Sequence, residues 1–460
     1  MYQPSVADRM AAARSRLPAL ASVSAVGHVD AASGLGVTIT GLGPLLGLGD
    51  RLVLRSRDTA PSPAEIVGFR AGAAQAMPLG ALTGIGPGTR AVLPINAGAA
   101  LPNHTGRACL APADSWLGRV IDPLGRPLDG RGSLPTGTPR PVRASPPPAA
   151  HRNRLGARIS LGVRTLDLFT TCRQGQRLGL FAGSGVGKST LLAMLAHQAD
   201  CDVVVLGLVG ERGREVREFI EDDLGPAMPR AVVVVATSDQ PPLLRREAAY
   251  AAMTVAEHFR DQGRSVLLLM DSLTRFCLAL REIGLATGEP PATRGYPPSM
   301  FAELPCLLER AGPGAGPGAG SITGLFTVLV EGDDHNEPIA DAVRGILDGH
   351  ALLDRRIAET GRYPAIDVLR SLSRTVPGCL EHAEAATIRE ARAILALHAD
   401  LADLVRLGAY RPGADPAADR ALRLAPRIES LMRQDKTSRT TLAEAFAALT
   451  ILIEADPNVA

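Results

Sequence analysis

Aromatic side chains are nearly missing from this chain: 3% of its 460 residues, with a single tryptophan. Its cores must be built from Leu, Val, Ile and Ala, which the 46% hydrophobic content allows. Charge of one sign is missing too. A formal net charge of +2 argues against bulk neutralisation of a nucleic-acid backbone, which needs a strong basic excess, although a local basic patch stays open. The six cysteines, Cys109, Cys172, Cys201, Cys277, Cys306 and Cys379, are far apart and form no Cys-x-x-Cys pair. That argues against a zinc site or disulfide framework and favours reduced thiols in a cytosolic protein. Long hydrophobic runs are absent. Val266–Met270 and Ala231–Ala236 have strand length, far short of the ~20 residues of a membrane helix, and the N-terminus shows no secretory signal. The expectation is a soluble protein that can still dock on a membrane complex.

What is present divides along the chain. The length predicts two or three domains. Residues 1–20 carry Arg9, Arg14 and Arg16 among alanines, and read either as a short partner-binding amphipathic helix or as a frayed tail. Over 21–95, short Val/Ile/Leu runs broken by glycine predict a small β-barrel. A connector with the strand-and-turn Leu117–Asp122 and the stiff Ser145-Pro146-Pro147-Pro148 follows. From about residue 175, apolar runs at Arg177–Ala182, Asp202–Leu208, Ala231–Ala236, Ser265–Met270 and Gly324–Val330 alternate with helical stretches. That pattern predicts an α/β fold with a parallel sheet buried on both faces, over 96–378 with the connector included. The Ala/Gly/Pro stretch 311–318 reads as a mobile loop. Over 379–460, Ile388, Ala391, Leu395, Leu401 and Leu404 recur at helical spacing and predict a helical bundle.

Four motifs carry chemistry. Ala182-Gly183-Ser184-Gly185-Val186-Gly187-Lys188-Ser189-Thr190 follows a strand and precedes a helix, the context of a phosphate-binding loop. Glycines let backbone N–H groups turn toward phosphate oxygens, and the helix N-terminus adds its dipole. Lys188 is expected on the β/γ-phosphates of ATP and the Ser189 hydroxyl on Mg²⁺. Ala182 replaces the first glycine of the pattern. Asp271 ends the strand Val266–Met270, where an acid can hold Mg²⁺ through water. Arg275, one turn on, reads equally as a phosphate ligand or a structural ion pair. Glu211, just past the strand Asp202–Leu208, is in position to polarise an attacking water, with Arg212 beside it for the γ-phosphate or a neighbouring subunit. Tyr363, before Pro364, reads as a base-stacking residue or a packed surface aromatic. Arg374 could be an arginine finger, given a ring assembly.

Taken in order, Phe181–Ser189, Gly210–Val216, Leu269–Arg275 and Tyr363–Asp367 resemble the catalytic subunits of rotary ATPases and their secretion relatives. Asn336–Asp341 and Ile346–His350 resemble the type III export branch, and within it the flagellar export ATPases. The resemblance runs from about residue 20 to 455. It implies a RecA-like core, an N-terminal barrel and a C-terminal helical domain in a homohexameric ring. Lys188 and Ser189 would bind phosphate and Mg²⁺, Glu211 would be the catalytic carboxylate and Asp271 the Walker B acid. Tyr363 would stack on adenine, and Arg374 would reach the adjacent subunit. The implied partners are a dimeric regulator at the N-terminal segment, a central-stalk protein, export chaperone–substrate complexes and the membrane export gate, from the cytoplasmic side of the inner membrane. Asp354 and Arg362 depart from the pattern of relatives. Among rivals, a non-catalytic ring subunit usually lacks the acid that Glu211 supplies. A nucleic-acid translocase wants a basic, aromatic-bearing barrel, whereas residues 20–95 hold only Phe69. A virulence injectisome ATPase shares all of the chemistry, and a proton-translocating synthase subunit would need a partner subunit.

Overall fold

A computed structural model of the chain describes residues 24–56, 60–94, 108–330 and 337–455. The segment 1–20 and residues 331–336, which begin the export-type stretch, lie outside them. Strands β1 (Ser24–Ser33), β2 (Gly36–Thr40), β3 (Arg51–Arg55), β4 (Ser62–Arg70), β5 (Ala73–Pro78) and β6 (Arg90–Pro94) close into an antiparallel barrel of order β1-β2-β5-β4-β3-β6. Alternate residues point inward, so Val37, Ile39, Leu52 and Leu54 fill it.

The core sheet contains β7 (Arg119–Ile121), β8 (Arg177–Ala182), β9 (Val203–Glu211), β10 (Ala231–Thr237), β11 (Ser265–Asp271), β12 (Ser321–Leu329), β13 (Gly349–Leu353) and β14 (Ile366–Ser373). Their order is β14-β13-β8-β12-β11-β9-β10-β7. Neighbours are parallel except β14, an edge strand antiparallel to β13. Leu117–Asp122, expected in a connector, thus supplies the opposite edge strand.

The continuous apolar runs follow from burial on both faces. Val204, Leu206 and Leu208 of β9 pack with α1 (Arg164–Phe169), α2 (Lys188–Gln198) and α3 (Gly213–Glu218). Val203, Val205 and Val209 pack with α4 (Pro242–Asp261), α5 (Leu273–Ala286), α6 (Pro298–Leu308) and α7 (Pro338–Ile346). The stretch 311–318 is not a free loop. Gly312–Pro313 pairs with β12, and the Asn153 side-chain Nδ2 donates to Gly316 O at 2.9 Å; these bonds hold what composition alone marked as mobile.

Short α8 (Arg355–Glu359) separates β13 from β14. Beyond the sheet, α9 (His382–Arg406), α10 (Pro416–Met432) and α11 (Leu442–Glu454) form the expected bundle. Thr441 and Glu444 close a capping box at the start of α11. Ile388, Ala391, Leu395 and Leu401 are buried, whereas Leu404, in the last turn of α9, is exposed. The bundle shares its core with Leu168 and Phe169 of α1 and Val368 of β14, so it is welded to the sheet edge.

The barrel meets α4 through buried charge. Arg246 Nη2 lies 2.7 Å from Glu65 Oε1 and 2.8 Å from Glu247 Oε1, and Arg51 Nη2 lies 2.6 Å from Glu247 Oε2. No helix among the described residues is long and apolar enough to cross a membrane.

Candidate active site

The phosphate loop joins β8 to α2, at the carboxyl end of the sheet where open α/β sheets hold ligands. Gly183 and Val186 are buried and anchor it, while Ser184, Gly185, Ser189 and Thr190 are exposed. Gly187 caps α2 at φ +88, a left-handed conformation, and a methyl group there would come within 3.2 Å of the Tyr363 ring. The left-handed backbone calls for glycine at this position, and the ring of Tyr363 lies close above it. Ala182 is different: it is a fully buried β8 residue paired with Leu329 and Leu353, and it is not among the residues of positive φ. The position asks nothing of glycine, which accounts for the departure from the pattern.

Glu211 reaches the same spot from β9. The β9–β10 register slips between Val209 and Glu211. Gly210 takes φ +71, and a Cβ on it would meet Arg275 Cβ at 3.0 Å. This bulge places the carboxylate at the cleft. Asp271, buried at the end of β11, completes a triad with Lys188. The lysine ammonium pairs tightly with Asp271 Oδ1 and lies 3.5 Å from Glu211 Oε1. Burial raises the Glu211 carboxyl above its ordinary range; Lys188 pulls it down, Asp271 pushes it up and Arg275 lowers it. Glu211 Oε1 is a buried oxygen that receives no hydrogen bond. Arg275 lays its aliphatic stem against Gly210, its Nε is buried without a hydrogen-bond partner among the described residues, and its charge acts on the Glu211 carboxyl.

Beside the triad lies a cavity of about 30 Å³, lined by Ser189, Leu208, Glu211, Glu215, Val216, Phe219 and Asp271. That is room for a water or two. Its donors are a hydroxyl and carboxylates, with no thiol or imidazole. Such all-oxygen donor sets suit Mg²⁺, which is usually completed by substrate phosphate and water. Among the described residues no group of three or more His, Cys, Asp and Glu forms a metal cage by itself.

The remaining residues divide. Tyr363, 42% exposed, stands over the loop. Arg212 turns to solvent and pairs with Glu215 at 3.0 Å, so the structure does not bring it to the triad. Arg374 is exposed at the far end of β14. Ile366 pairs with Leu353, which pairs with Ala182 beside the loop, whereas Ser373 pairs with Gly349. The length of β14 therefore separates Arg374 from its own loop by roughly 25 Å. One participant escaped sequence reasoning. Thr327 Oγ1 donates to Asp271 Oδ1 at 2.6 Å and is fully buried in β12; a lone hydroxyl inside an apolar run was the available signal.

Residues 162–373 match the family model of the ATP synthase alpha/beta family, nucleotide-binding domain. Residues 380–450 match the T3SS EscN ATPase C-terminal domain. The chain is 52% identical over 436 residues to the flagellum-specific ATP synthase of Caulobacter vibrioides, covering 94% of this chain and 96% of that one. It superposes with a TM-score of 0.84 and 37% identity on the assembled ATPase EscN of the enteropathogenic E. coli type III secretion system, covering 93% of this chain and all of that chain. The structure of assembled EscN in complex with its central stalk EscO is similar, with a TM-score of 0.82, 36% identity and the same coverage.

Proposed function

This chain belongs to the family of flagellum-specific ATP synthases and type III secretion ATPases, and on that premise we propose that it is an ATPase working in a homohexameric ring that energises flagellar protein export. The observation that carries the chemistry is Lys188 held between Glu211 and Asp271 at the mouth of the phosphate loop.

In this reading Gly183, Ser184, Gly185, Val186, Gly187, Lys188, Ser189 and Thr190 surround the phosphates, their backbone N–H groups turned inward. Lys188 exchanges Asp271 for a phosphate oxygen. Ser189 and Asp271 would hold Mg²⁺, which neutralises phosphate charge when bound. Glu211, with an oxygen left unsatisfied beside a water-sized cavity, takes the proton of the attacking water. Tyr363 meets the adenine. Arg374, turned away from its own loop, serves the loop of a neighbouring subunit, and Arg212 faces that contact.

The chain then works as four units: 1–20 for a regulatory dimer, the barrel at 21–95, the ATPase core at 96–378 and the helical domain at 379–460. Its further partners are a central stalk, export chaperone–substrate complexes and the membrane export gate, which it meets from the cytoplasm at the inner membrane. No specific nucleic acid is among them. A virulence type III secretion ATPase is the second reading, favoured by the match of residues 380–450.

Specific ATPase activity against protein concentration tests the proposal. The wild type should rise more than linearly, Glu211→Gln and Arg374→Ala should be inactive at every concentration, and single-stranded RNA or DNA should change nothing. Activity that requires nucleic acid would reject the export ring. Restored swimming of a flagellated bacterium lacking its own export ATPase separates the flagellar reading from the virulence one.

A further inference from the structure

The loop between α10 and α11 reaches back to the nucleotide site. The backbone N–H of Gln434 donates to the carbonyl of Tyr363 at 2.9 Å. Gln434 is itself 5% exposed, and every polar atom of its side chain is engaged. Its Oε1 accepts from Arg164 N at 2.8 Å. Its Nε2 donates to Gly162 O at 2.8 Å and to Ser438 O at 2.7 Å. A second clamp sits one residue before the tyrosine. Arg362, 4% exposed, donates to Pro364 O at 3.3 Å and Ile366 O at 2.9 Å. Its Nε lies 2.6 Å from Glu429 Oε2 on α10. The same loop touches α2 at the end opposite the phosphate loop, where Gln198 Nε2 donates to the main-chain carbonyl of Lys436 at 2.9 Å, a bond that substitutions of the Gln434 and Glu429 side chains leave in place.

A half-exposed aromatic on a turn has no packing to fix its ring. Here both backbone flanks of Tyr363 are tied to the C-terminal helices, and the ring is kept against Gly187. We propose that Gln434 and Arg362 are the positioning residues of the nucleotide-base side of the site, so that α10 and the loop after it set how tightly the base is held without touching the phosphate chemistry. The proposal rests on the reading of Tyr363 as the base-stacking residue. It also gives Arg362 a role: a guanidinium can bind two carbonyls and a carboxylate at once, which shorter or neutral side chains cannot.

The test compares two probes on the full-length chain by titration calorimetry in Mg²⁺: ADP, which has a base, and inorganic pyrophosphate, which has none. Stacking on an aromatic is worth roughly tenfold or more in affinity, so Tyr363→Ala should weaken ADP by about that factor. Gln434→Ala should weaken ADP by up to about the same tenfold, and the milder Glu429→Gln, at a half-exposed carboxylate, by a smaller factor. Both should leave pyrophosphate affinity unchanged. The double variant Tyr363→Ala/Gln434→Ala should bind ADP no worse than Tyr363→Ala alone. Parallel loss of ADP and pyrophosphate, or losses that multiply in the double variant, would overturn the positioning role. A normal loss in Tyr363→Ala with ADP affinity intact in Gln434→Ala and Glu429→Gln would sink the positioning role alone. ADP affinity intact in Tyr363→Ala would sink the stacking reading, and this proposal with it.

Discussion

A general base must be ionised to take a proton from water. Because burial raises the Glu211 carboxyl above its ordinary range, protonation disables it at a higher pH than it would an exposed glutamate. The acid limb of the kcat/KM–pH profile, which reports the free enzyme, should therefore lie above the ordinary carboxylate range, and an acid limb within that range would deny Glu211 the role. Thr327 makes a second prediction at this scale. Thr327→Val removes the hydroxyl that orients Asp271 Oδ1 while conserving shape. Partners of this kind typically cost 10–100-fold in metal affinity, so the Mg²⁺ concentration giving half-maximal activity should rise by about tenfold. Asp271 was legible because it ends an apolar strand, and Lys188 because it follows a glycine-rich turn into a helix; Glu211 also follows an apolar strand, but the bulge at Gly210 decides where its carboxylate points. Arg212 was not, since a side chain in a turn can point either way, and here it pairs with Glu215 at the surface.

At the scale of elements, the barrel is joined to α4 by Arg51, Glu65, Arg246 and Glu247, all of them buried. A buried charge without its partner costs far more than the pair contributes. Arg246→Met leaves Glu65 with only the more distant Arg51, 3.7 Å away, and Arg143, 3.9 Å away, and should lower stability to urea by about 3–5 kcal/mol. Unchanged unfolding would mean that the barrel is held mainly by the apolar contact of Met77 and Leu79 with Leu243 and Ile283. The central strands were legible because burial on both faces leaves an unbroken apolar run. Strands β13 and β14 were not. β14 stands at the sheet edge, where Asp367, Arg370 and Ser373 interrupt the run, and β13 beside it has only 5 residues, so pairing rather than composition makes them strands.

For the whole molecule, Arg374 and Glu211 lie at opposite ends of one sheet, so the proposed role of Arg374 requires two copies for a complete site. Mixing inactive Glu211→Gln with inactive Arg374→Ala should restore activity. A mixed ring contains contacts where the intact Glu211 of one chain faces the intact Arg374 of another. With equal amounts, about a quarter of contacts should be whole, so up to roughly a quarter of wild-type activity is expected if contacts act independently. Mixtures as inactive as their components would place the function of Arg374 within its own chain.

Local pattern determined much of this protein by itself. Apolar runs of strand length, glycines before Lys188 and acids at strand ends specify an α/β nucleotide site, because these signals act over a few residues of backbone. The sequence could not decide what comes together across hundreds of residues. The tertiary structure alone joins Gln434 and Glu429 to the Tyr363 segment, turns Arg374 away from its own loop and lifts Glu211 over Gly210. Those outcomes depend on strand order, register and side-chain direction, which are decided by packing between distant segments and leave no periodicity to read.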